Sequence, residues 1–192
     1  MKKILICFLL ILIYSNKSFA VQENIILGDE NADVNVRIYY SMTCPSCSYL
    51  FKNIVPKLER NYVKTNKISL EFRPYPLNKS SFAIDSIIHC TKTKEKHEKA
   101  LKALLKEQSS WINKRKRKEE IENILYPYLR GEDLQKCYKD KENADKLYDK
   151  IAQYRQKGII KATPAVFVNG KEIERLTSYY QIEQKILEEL SN

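Results

Sequence analysis

The sequence predicts an α/β protein in which a β-α-β unit and a β-β-α unit form one four-stranded sheet, with an all-helical insertion between them. Three observations carry this prediction. The patterns of residues 34–40 and 67–73 indicate strands, and the segment between them has the apolar spacing of a helix. Residues 165–174 have the pattern of a hairpin, and a last helix follows it. From 79 to 158 every pattern is helical.

The first unit begins with a strand at 34–40, where β-branched and aromatic residues dominate. Pro56 falls inside the helix that follows, so we expect a kink near Asn53 rather than a straight rod. The second strand, at 67–73, alternates apolar and polar residues and is followed by two prolines. The helix between the two strands has one apolar face, formed by Cys47, Leu50, Phe51, Ile54, Val55 and Leu58.

The second unit begins where strand character returns, at 165–168. Asn169-Gly170 then predicts a tight hairpin turn, because both residues tolerate a positive φ. Ser178 and Gln181 have the spacing of a capping box, which marks the start of the last helix.

The first twenty residues have the layout of a secretory signal peptide. Lys2 and Lys3 form a positive head, residues 4–14 are apolar, and Ser18 and Ala20 are the small residues that precede a cleavage site. The alternative is an N-terminal membrane anchor, but an apolar run of eleven residues is too short to span a bilayer. We therefore expect cleavage after Ala20 and a mature protein outside the cytoplasm.

Removal of residues 1–20 leaves one domain with an insertion: 21–78 and 159–192 form the sheet domain, and 79–158 form the insertion. The net charge of the full chain is +10, and the basic run 114–118 is a candidate nucleic-acid patch. Two glutamates follow this run directly, and no nucleic-acid motif surrounds it. We therefore interpret it as a solvated loop or helix start and expect no nucleic-acid partner.

Four cysteines remain after cleavage, because Cys7 is lost with the signal peptide. An even number in an oxidising compartment favours two pairs. Cys44 and Cys47 form a Cys-Pro-Ser-Cys motif, whereas Cys90 and Cys137 lie on apolar faces of the helical insertion. The latter two are either a structural disulfide, which the compartment favours, or two buried free thiols.

The Cys-Pro-Ser-Cys motif predicts a redox-active pair with different roles for its two sulfurs. Pro45 suits the first helical position, which makes Cys44 the N-cap. Its sulfur then faces unsatisfied backbone N–H groups, and thiols in such positions have pKa values of roughly 3.5–7.5 instead of about 8.5. Cys47 lies one turn on, at the head of the apolar face. We expect Cys44 to be an exposed attacking thiolate and Cys47 to be its buried resolving partner.

Two other interpretations of the motif are half of a zinc site and an inert structural disulfide. A zinc site needs a second pair of ligands at metal-binding spacing, and none is present. An inert disulfide is disfavoured because the short disulfide ring would lie at the start of a helix whose first residue is proline.

Thr163-Pro164 is a further candidate part of the site. A cis proline there would place a backbone edge beside Cys44, although proline also commonly begins a strand.

Together these residues resemble the DsbA-like, thioredoxin-fold family of bacterial disulfide oxidoreductases. The resemblance covers nearly all of the mature chain. It is carried by Gly28-Asp29, by Tyr39-Tyr40-Ser41 before the Cys-Pro-Ser-Cys motif, by Phe72-Arg73-Pro74-Tyr75-Pro76-Leu77, and by residues 163–170. The fold class is accordingly a thioredoxin-like fold with a helical insertion between its halves.

The resemblance implies a function and a site. Pro164 is expected to be cis, with Thr163 modulating the redox potential, and some members carry a second disulfide like Cys90–Cys137. The expected function is a periplasmic oxidase that donates disulfides to reduced or unfolded exported proteins and is reoxidised by a quinone-linked membrane oxidase. No bound cofactor and no metal are implied, and we favour a monomer. The alternatives are an isomerase or reductase with the same site, and a non-catalytic module that binds a metal or a protein.

One departure from the family affects the chemistry. Members often carry a buried acid six residues before the first cysteine, and Ile38 occupies that position here. The sequence therefore does not identify the proton acceptor for Cys47. The tryptophan before the motif and the Gly-Pro within it, both typical of thioredoxin itself, are also missing, which weighs against a general reductant.

Overall fold

The structure is a computed structural model that describes residues 24–174 and 178–192. The predicted signal peptide, 1–20, lies outside the described residues. Within the described ranges, no helix is long and apolar enough to cross a membrane. In chain order the elements are β1 (Ile25–Leu27), β2 (Val34–Tyr40), α1 (Pro45–Asn53), α2 (Val55–Leu58), a π-helical turn (Glu59–Val63), β3 (Ile68–Pro74), α3 (Lys79–His89), α4 (Lys94–Lys106), α5 (Gln108–Trp111), α6 (Arg117–Leu125), α7 (Gly131–Lys139), α8 (Lys141–Gln156), β4 (Ala165–Val168), β5 (Lys171–Glu172) and α9 (Tyr179–Leu190).

The sheet has the strand order β1-β3-β2-β4-β5. The central pair β2 and β3 is parallel, from Val34 opposite Ile68 to Tyr40 opposite Pro74, and the other neighbours are antiparallel. The prediction of four strands is wrong by one, because β1 pairs with β3 at the sheet edge. A strand of three residues is too short to show the alternation from which strands are recognised.

The helix that follows the Cys-Pro-Ser-Cys motif is broken where the proline predicts. α1 ends at Asn53, and α2 begins at Val55. Between them Ile54 has φ −107° and still donates its N–H to the Leu50 carbonyl at 2.9 Å. Pro56 has no N–H to continue this ladder, which accounts for the break between α1 and α2.

The hairpin and the last helix also follow the sequence signals. Asn169 and Gly170 have φ values of 45° and 81°, as a turn between β4 and β5 requires. The backbone N–H of Ser178 donates to the Gln181 side chain at 3.1 Å, and both halves of the capping box are present at the start of α9. The return strand is shorter than predicted, with only Lys171 and Glu172.

Helices α3–α8 lie between β3 and β4 and reach both faces of the sheet. One face is buried in the main core, which α1, α4 and α9 share with β2 and β3. On the other face a smaller core places Tyr154 of α8 against Tyr39 and Phe167. The guanidinium of Arg73 lies 5.1 Å from the Tyr154 ring and pairs with the buried Glu71 at 2.7 Å. The helical segment is therefore anchored to the strands that lead into the Cys-Pro-Ser-Cys motif.

A disulfide joins two helices of this segment. Cys90, directly after α3, is bonded to Cys137 of α7 with a sulfur–sulfur distance of 2.06 Å. The two cysteines are separated by 47 positions along the chain. On the chain-entropy account, a cross-link that closes a loop of this size stabilises the fold by roughly 4 kcal/mol at most.

We predict that Cys90 and Cys137 carry no free thiol in unreduced protein. The measurement is a thiol titration of a Cys44→Ser/Cys47→Ser variant, before and after denaturation without reductant. No thiol should be found in either state, and two should appear after reduction. Two thiols released by denaturation alone would contradict the disulfide.

Candidate active site

The candidate site lies where β2 ends and α1 begins. Tyr40 is the last residue of β2, and four residues later Cys44 is the N-cap of α1, with extended backbone (φ −90°, ψ 117°). Pro45 follows at the first helical position, where its missing N–H has no partner to lose. The chain folds in this way because an extended N-cap and a proline with fixed φ together define a helix start.

The Cys44 sulfur lies at the start of α1, within reach of the Cys47 backbone and of the segment that carries Thr163. The backbone N–H of Cys47 donates to the Cys44 sulfur at 3.4 Å, and the same sulfur, when protonated, donates to the Thr163 carbonyl at 3.2 Å. Cys47 is fully buried, as expected, but Cys44 is only 6% exposed. The expectation of an exposed Cys44 is therefore wrong, because the segment that carries Thr163 packs against its sulfur.

The pKa values of the two thiols are displaced in opposite directions. A hydrogen bond from the Cys47 thiol is the largest of the effects that lower the pKa of Cys44 to about 6, and burial opposes it. The Thr163 hydroxyl and the N–H groups of Cys47 and Ser46 lower it further. Burial raises the pKa of Cys47 far above that of an ordinary thiol, and the neighbouring Cys44 raises it again. Near neutral pH, Cys44 is ionised and Cys47 holds its proton.

Thr163 and Pro164 contact the pair from the other side of the site. The Thr163-Pro164 peptide bond is cis, as the family resemblance implies. The Thr163 hydroxyl is buried, lowers the pKa of both thiols and has no hydrogen-bond partner of normal geometry among the described residues. The structure thus brings together the four predicted site residues Cys44, Cys47, Thr163 and Pro164.

A groove of about 400 Å³ runs beside Thr163 and Pro164, between α1 and the hairpin. Its lining mixes apolar and polar side chains, and Tyr49 projects from its α1 side with 58% of its surface exposed. A groove of this kind could accept an extended chain next to the Cys44 sulfur. It is lined by Ser46, Tyr49, Leu50, Ile54, Lys161, Ala162, Thr163, Pro164, Glu172 and Ile173.

Sequence reasoning missed a buried glutamine that holds the site loop. Gln108 of α5 is 4% exposed and donates from Nε2 to the Met42 carbonyl at 2.7 Å and to the Cys44 carbonyl at 3.0 Å. The Ser48 hydroxyl also donates to the Leu105 carbonyl at 2.7 Å. The helical insertion therefore fixes the backbone that carries Cys44. A helix of four residues is too short to show an apolar spacing, and no motif identifies a buried glutamine. The sequence therefore contains no signal for the role of Gln108.

The structure also bears on two alternative interpretations of the sequence, a metal site and a nucleic-acid patch. In the part of the chain that the structure describes, no cluster of three or more histidine, cysteine or acidic side chains could hold a metal. The basic run lies in the loop before α6 and in its first turn, where Lys116 pairs with Glu119 at 3.1 Å. Arg117 stacks over the Trp111 ring at 5.1 Å. These contacts agree with a solvated helix start.

Solved structures with the same architecture define the fold class as thioredoxin-like with a helical insertion. α-DsbA1 of Wolbachia pipientis superposes with a TM-score of 0.77 at 23% identity, covering 88% of this chain and 92% of that protein. BdbD of Bacillus subtilis superposes with a TM-score of 0.78 at 20% identity, covering 88% and 94%. At these identities the likeness concerns the fold.

The thioredoxin family profile matches residues 20–188, and the chain belongs to that family. A protein of Rickettsia bellii is provisionally named a protein-disulfide oxidoreductase. It is 28% identical over 179 residues, which are 91% of this chain and 69% of that protein. A similarly named Rickettsia typhi protein is 28% identical, and the match covers 59% of its length. The expected resemblance to DsbA-like proteins is confirmed, and the expected class of thiol:disulfide oxidoreductase agrees with these names.

We predict that alkylation of Cys44 by iodoacetamide in reduced protein has a midpoint near pH 6. Cys47→Ser keeps a hydroxyl donor and should leave the midpoint close to this value, whereas Cys47→Ala removes the donor and should move it toward about 8.5. A midpoint near 8.5 in the unaltered protein would contradict the assignment.

The lowered pKa of Cys44 also affects the stability of the reduced protein, because this pKa is lower in the folded protein than in the unfolded chain. The ionised Cys44 stabilises reduced protein fully above about pH 8.5, and this contribution is lost as the pH falls through about 6.

Proposed function

We propose that the protein is an exported protein-disulfide oxidoreductase that acts mainly as an oxidase, donating the Cys44–Cys47 disulfide to newly exported proteins. The observation that carries this proposal is the opposite displacement of the two thiol pKa values, with Cys44 at about 6 and Cys47 raised by burial. A stable Cys44 thiolate favours the reduced site, and a site that is stable when reduced is a strong oxidant.

The proposed reaction has two exchange steps. A substrate thiolate attacks the Cys44 sulfur of the oxidised site, a mixed disulfide forms, and Cys47 leaves with the electron pair of the broken bond. A second substrate thiolate then attacks the substrate sulfur of that mixed disulfide. The substrate leaves oxidised, and Cys44 leaves as a thiolate, for which a pKa of about 6 makes it a good leaving group.

The magnitude of the effect at neutral pH follows from the pKa of Cys44. Only the interval between pH 7 and a pKa of about 6 contributes there, which is close to one unit. One unit corresponds to about 1.4 kcal/mol, or roughly 30 mV for a two-electron couple. Ionisation of Cys44 thus makes the site moderately more oxidising, and the Thr163 hydroxyl is one of the groups that lower the pKa of Cys44 to this value.

Substrate binding is proposed at the groove beside Thr163 and Pro164. The Thr163 carbonyl lies 3.2 Å from the Cys44 sulfur, so a chain that pairs with this backbone edge would bring its cysteine to Cys44. Ile54, Pro164 and Ile173 give the groove an apolar part, which can receive the apolar side chains that an unfolded chain exposes.

The names of similar proteins support the same class of activity. Besides the Rickettsia proteins, "Disulfide bond formation protein D" of Bacillus subtilis is 24% identical, and the match covers 86% of this chain and 76% of that protein. From the family resemblance we propose a periplasmic location, reduced or unfolded exported proteins as substrates, and reoxidation by a quinone-linked membrane oxidase. We also propose that 21–78 with 159–192 is the thioredoxin-like domain and 79–158 its insertion.

Equilibration of the Cys44–Cys47 pair against glutathione buffers tests the oxidase direction. We expect a potential clearly more oxidising than about −270 mV, displaced toward about −120 mV, the oxidising end of the known range, and a value near about −270 mV would contradict the proposal in favour of a reductant. A Cys90→Ser/Cys137→Ser variant is the control, because it should give the same potential if the measured couple is Cys44–Cys47. Stoichiometric zinc or copper in protein prepared without chelators would instead indicate a metal-binding module.

A further inference from the structure

The turn between β2 and α1 decides where the Cys44 sulfur lies relative to the start of the helix. Residues 41–43 form this turn, and the Cys44 N–H donates back to the Ser41 carbonyl at 3.1 Å. Cys44 is therefore the N-cap only as long as the turn keeps its shape. Met42, at the centre of the turn, is fully buried, so its backbone N–H and carbonyl both need partners within the protein.

Both polar groups of the Met42 backbone are bound by the helical insertion. The Met42 N–H donates to the Ser81 hydroxyl of α3 at 2.9 Å, and the Met42 carbonyl accepts from Gln108 Nε2 of α5 at 2.7 Å. The same Gln108 nitrogen donates to the Cys44 carbonyl at 3.0 Å. One buried amide group thus joins the centre of the turn to the N-cap of α1.

The Cys44 carbonyl is also the first acceptor of α1. It accepts from the N–H groups of Cys47 and Ser48 at 3.1 and 3.2 Å, in addition to the Gln108 amide. These donors fix the orientation of the Cys44 peptide group, and with it the direction in which the first N–H groups of the helix face. The N–H groups of Ser46 and Cys47 lower the pKa of the Cys44 thiol, so the hold on the carbonyl affects the sulfur.

Gln108 is itself held in place by α5, a helix of one turn. The Ile112 N–H donates to the Gln108 carbonyl at 2.9 Å and closes this turn. The fully buried Trp111 donates from its indole N–H to the Leu104 carbonyl at 2.9 Å, which ties α5 to α4. Arg117 of α6 covers the same ring at 5.1 Å. α5 therefore holds Gln108 as a fixed point to which the turn before α1 is attached.

A carboxamide side chain is chemically suited to this position. Its nitrogen carries two N–H donors and no charge, so one side chain can bind two carbonyls without placing a buried charge beside Cys44. A glutamate at position 108 would instead set carboxylate oxygens against the same two carbonyls.

We propose that Gln108 is a positioning residue for thiol–disulfide exchange, because its amide keeps Cys44 at the N-cap of α1 with its sulfur facing the N–H groups of the first turn. Gln108 takes no part in making or breaking bonds. It affects both directions of exchange, since the ionised Cys44 attacks when the site is reduced and leaves when a substrate is oxidised. The helical insertion thereby contributes to the oxidising strength of the site. The inference rests on the proposed use of Cys44.

The test compares Gln108→Leu with the matched control Ser48→Ala. Leucine fills a similar space without a donor, so both carbonyls lose the amide, while the bond between Met42 and Ser81 keeps the turn attached to α3. Ser48→Ala also removes one buried hydrogen bond between α1 and the insertion, from the Ser48 hydroxyl to the Leu105 carbonyl at 2.7 Å. It leaves the side-chain contacts of the turn unchanged.

The first readout is the ionisation midpoint of Cys44 in reduced protein, followed by the ultraviolet absorbance of the thiolate. Unaltered protein and Ser48→Ala should have a midpoint near pH 6. In Gln108→Leu the midpoint should be at least about 1 pH unit higher, because the N–H groups of the first turn no longer face the sulfur in a fixed direction. An unchanged midpoint in Gln108→Leu, or an equal rise in Ser48→Ala, would overturn the proposal.

The second readout is the pH profile of the equilibrium with glutathione, which a purely structural loss would not reproduce. If the Cys44 midpoint is about 1 pH unit higher, Gln108→Leu should be about fivefold less oxidising than unaltered protein at pH 7 and about tenfold less at pH 9. At pH 5 the two should agree, since Cys44 is protonated in both. Among the groups that act most strongly on Cys44, only Cys47 titrates, and it keeps its proton throughout. A difference of the same size at pH 5 and pH 9 would overturn the proposal.

A third measurement uses unaltered protein and does not depend on the folding of a variant. The side-chain amide of Gln108, labelled with nitrogen-15, should exchange its hydrogens slowly with water, because it is buried and bonded to two carbonyls. Its resonance should move with the ionisation of Cys44 in reduced protein. Rapid exchange, or a resonance that does not move between pH 5 and 8, would overturn the proposal. The oxidase direction fails separately, through a reducing potential of unaltered protein, and that result leaves the comparison of the variants intact.

Discussion

The pairing of Cys44 with Cys47 at the start of α1 is the interaction on which the rest of the site depends. The Cys47 backbone N–H donates to the Cys44 sulfur at 3.4 Å, and the Cys47 thiol is the strongest of the groups that lower the pKa of Cys44. This arrangement requires that Cys44 be the N-cap, just before the helix, and that Cys47 lie in the first turn of the helix, where it is buried. Two chemically identical side chains thereby receive different charge states, and thiol–disulfide exchange proceeds through the ionised one.

The surrounding fold holds this contact from three directions. β2 delivers the chain to the site from the centre of the sheet, Gln108 of the helical insertion binds the carbonyls of Met42 and Cys44, and the Thr163-Pro164 segment covers the Cys44 sulfur. The insertion thus has a structural task at the site in addition to any contact with substrates. Its own geometry is fixed by the disulfide at α7 and by the packing of α8 on the sheet.

Much of this organisation could be predicted from the sequence, because it depends on local signals. The break at Ile54 follows from Pro56, and the turn at Asn169-Gly170 follows from residues that tolerate positive φ. Contacts between distant segments could not be predicted in this way. β1 is too short to show a pattern, the burial of Cys44 depends on a segment more than a hundred residues away, and Gln108 has no recognisable spacing.

The central claim is that Cys44 attacks and Cys47 resolves, and trapping of the mixed disulfide tests it most directly. Reduced Cys47→Ser and Cys44→Ser variants are exposed to oxidised glutathione at pH 7, and the adducts are located by peptide mass mapping. The account predicts a stable glutathione adduct on Cys44 in Cys47→Ser and almost none on Cys47 in Cys44→Ser, because the latter sulfur is buried and protonated. Equal adduct formation on both cysteines, or preferential reaction of Cys47, would contradict it.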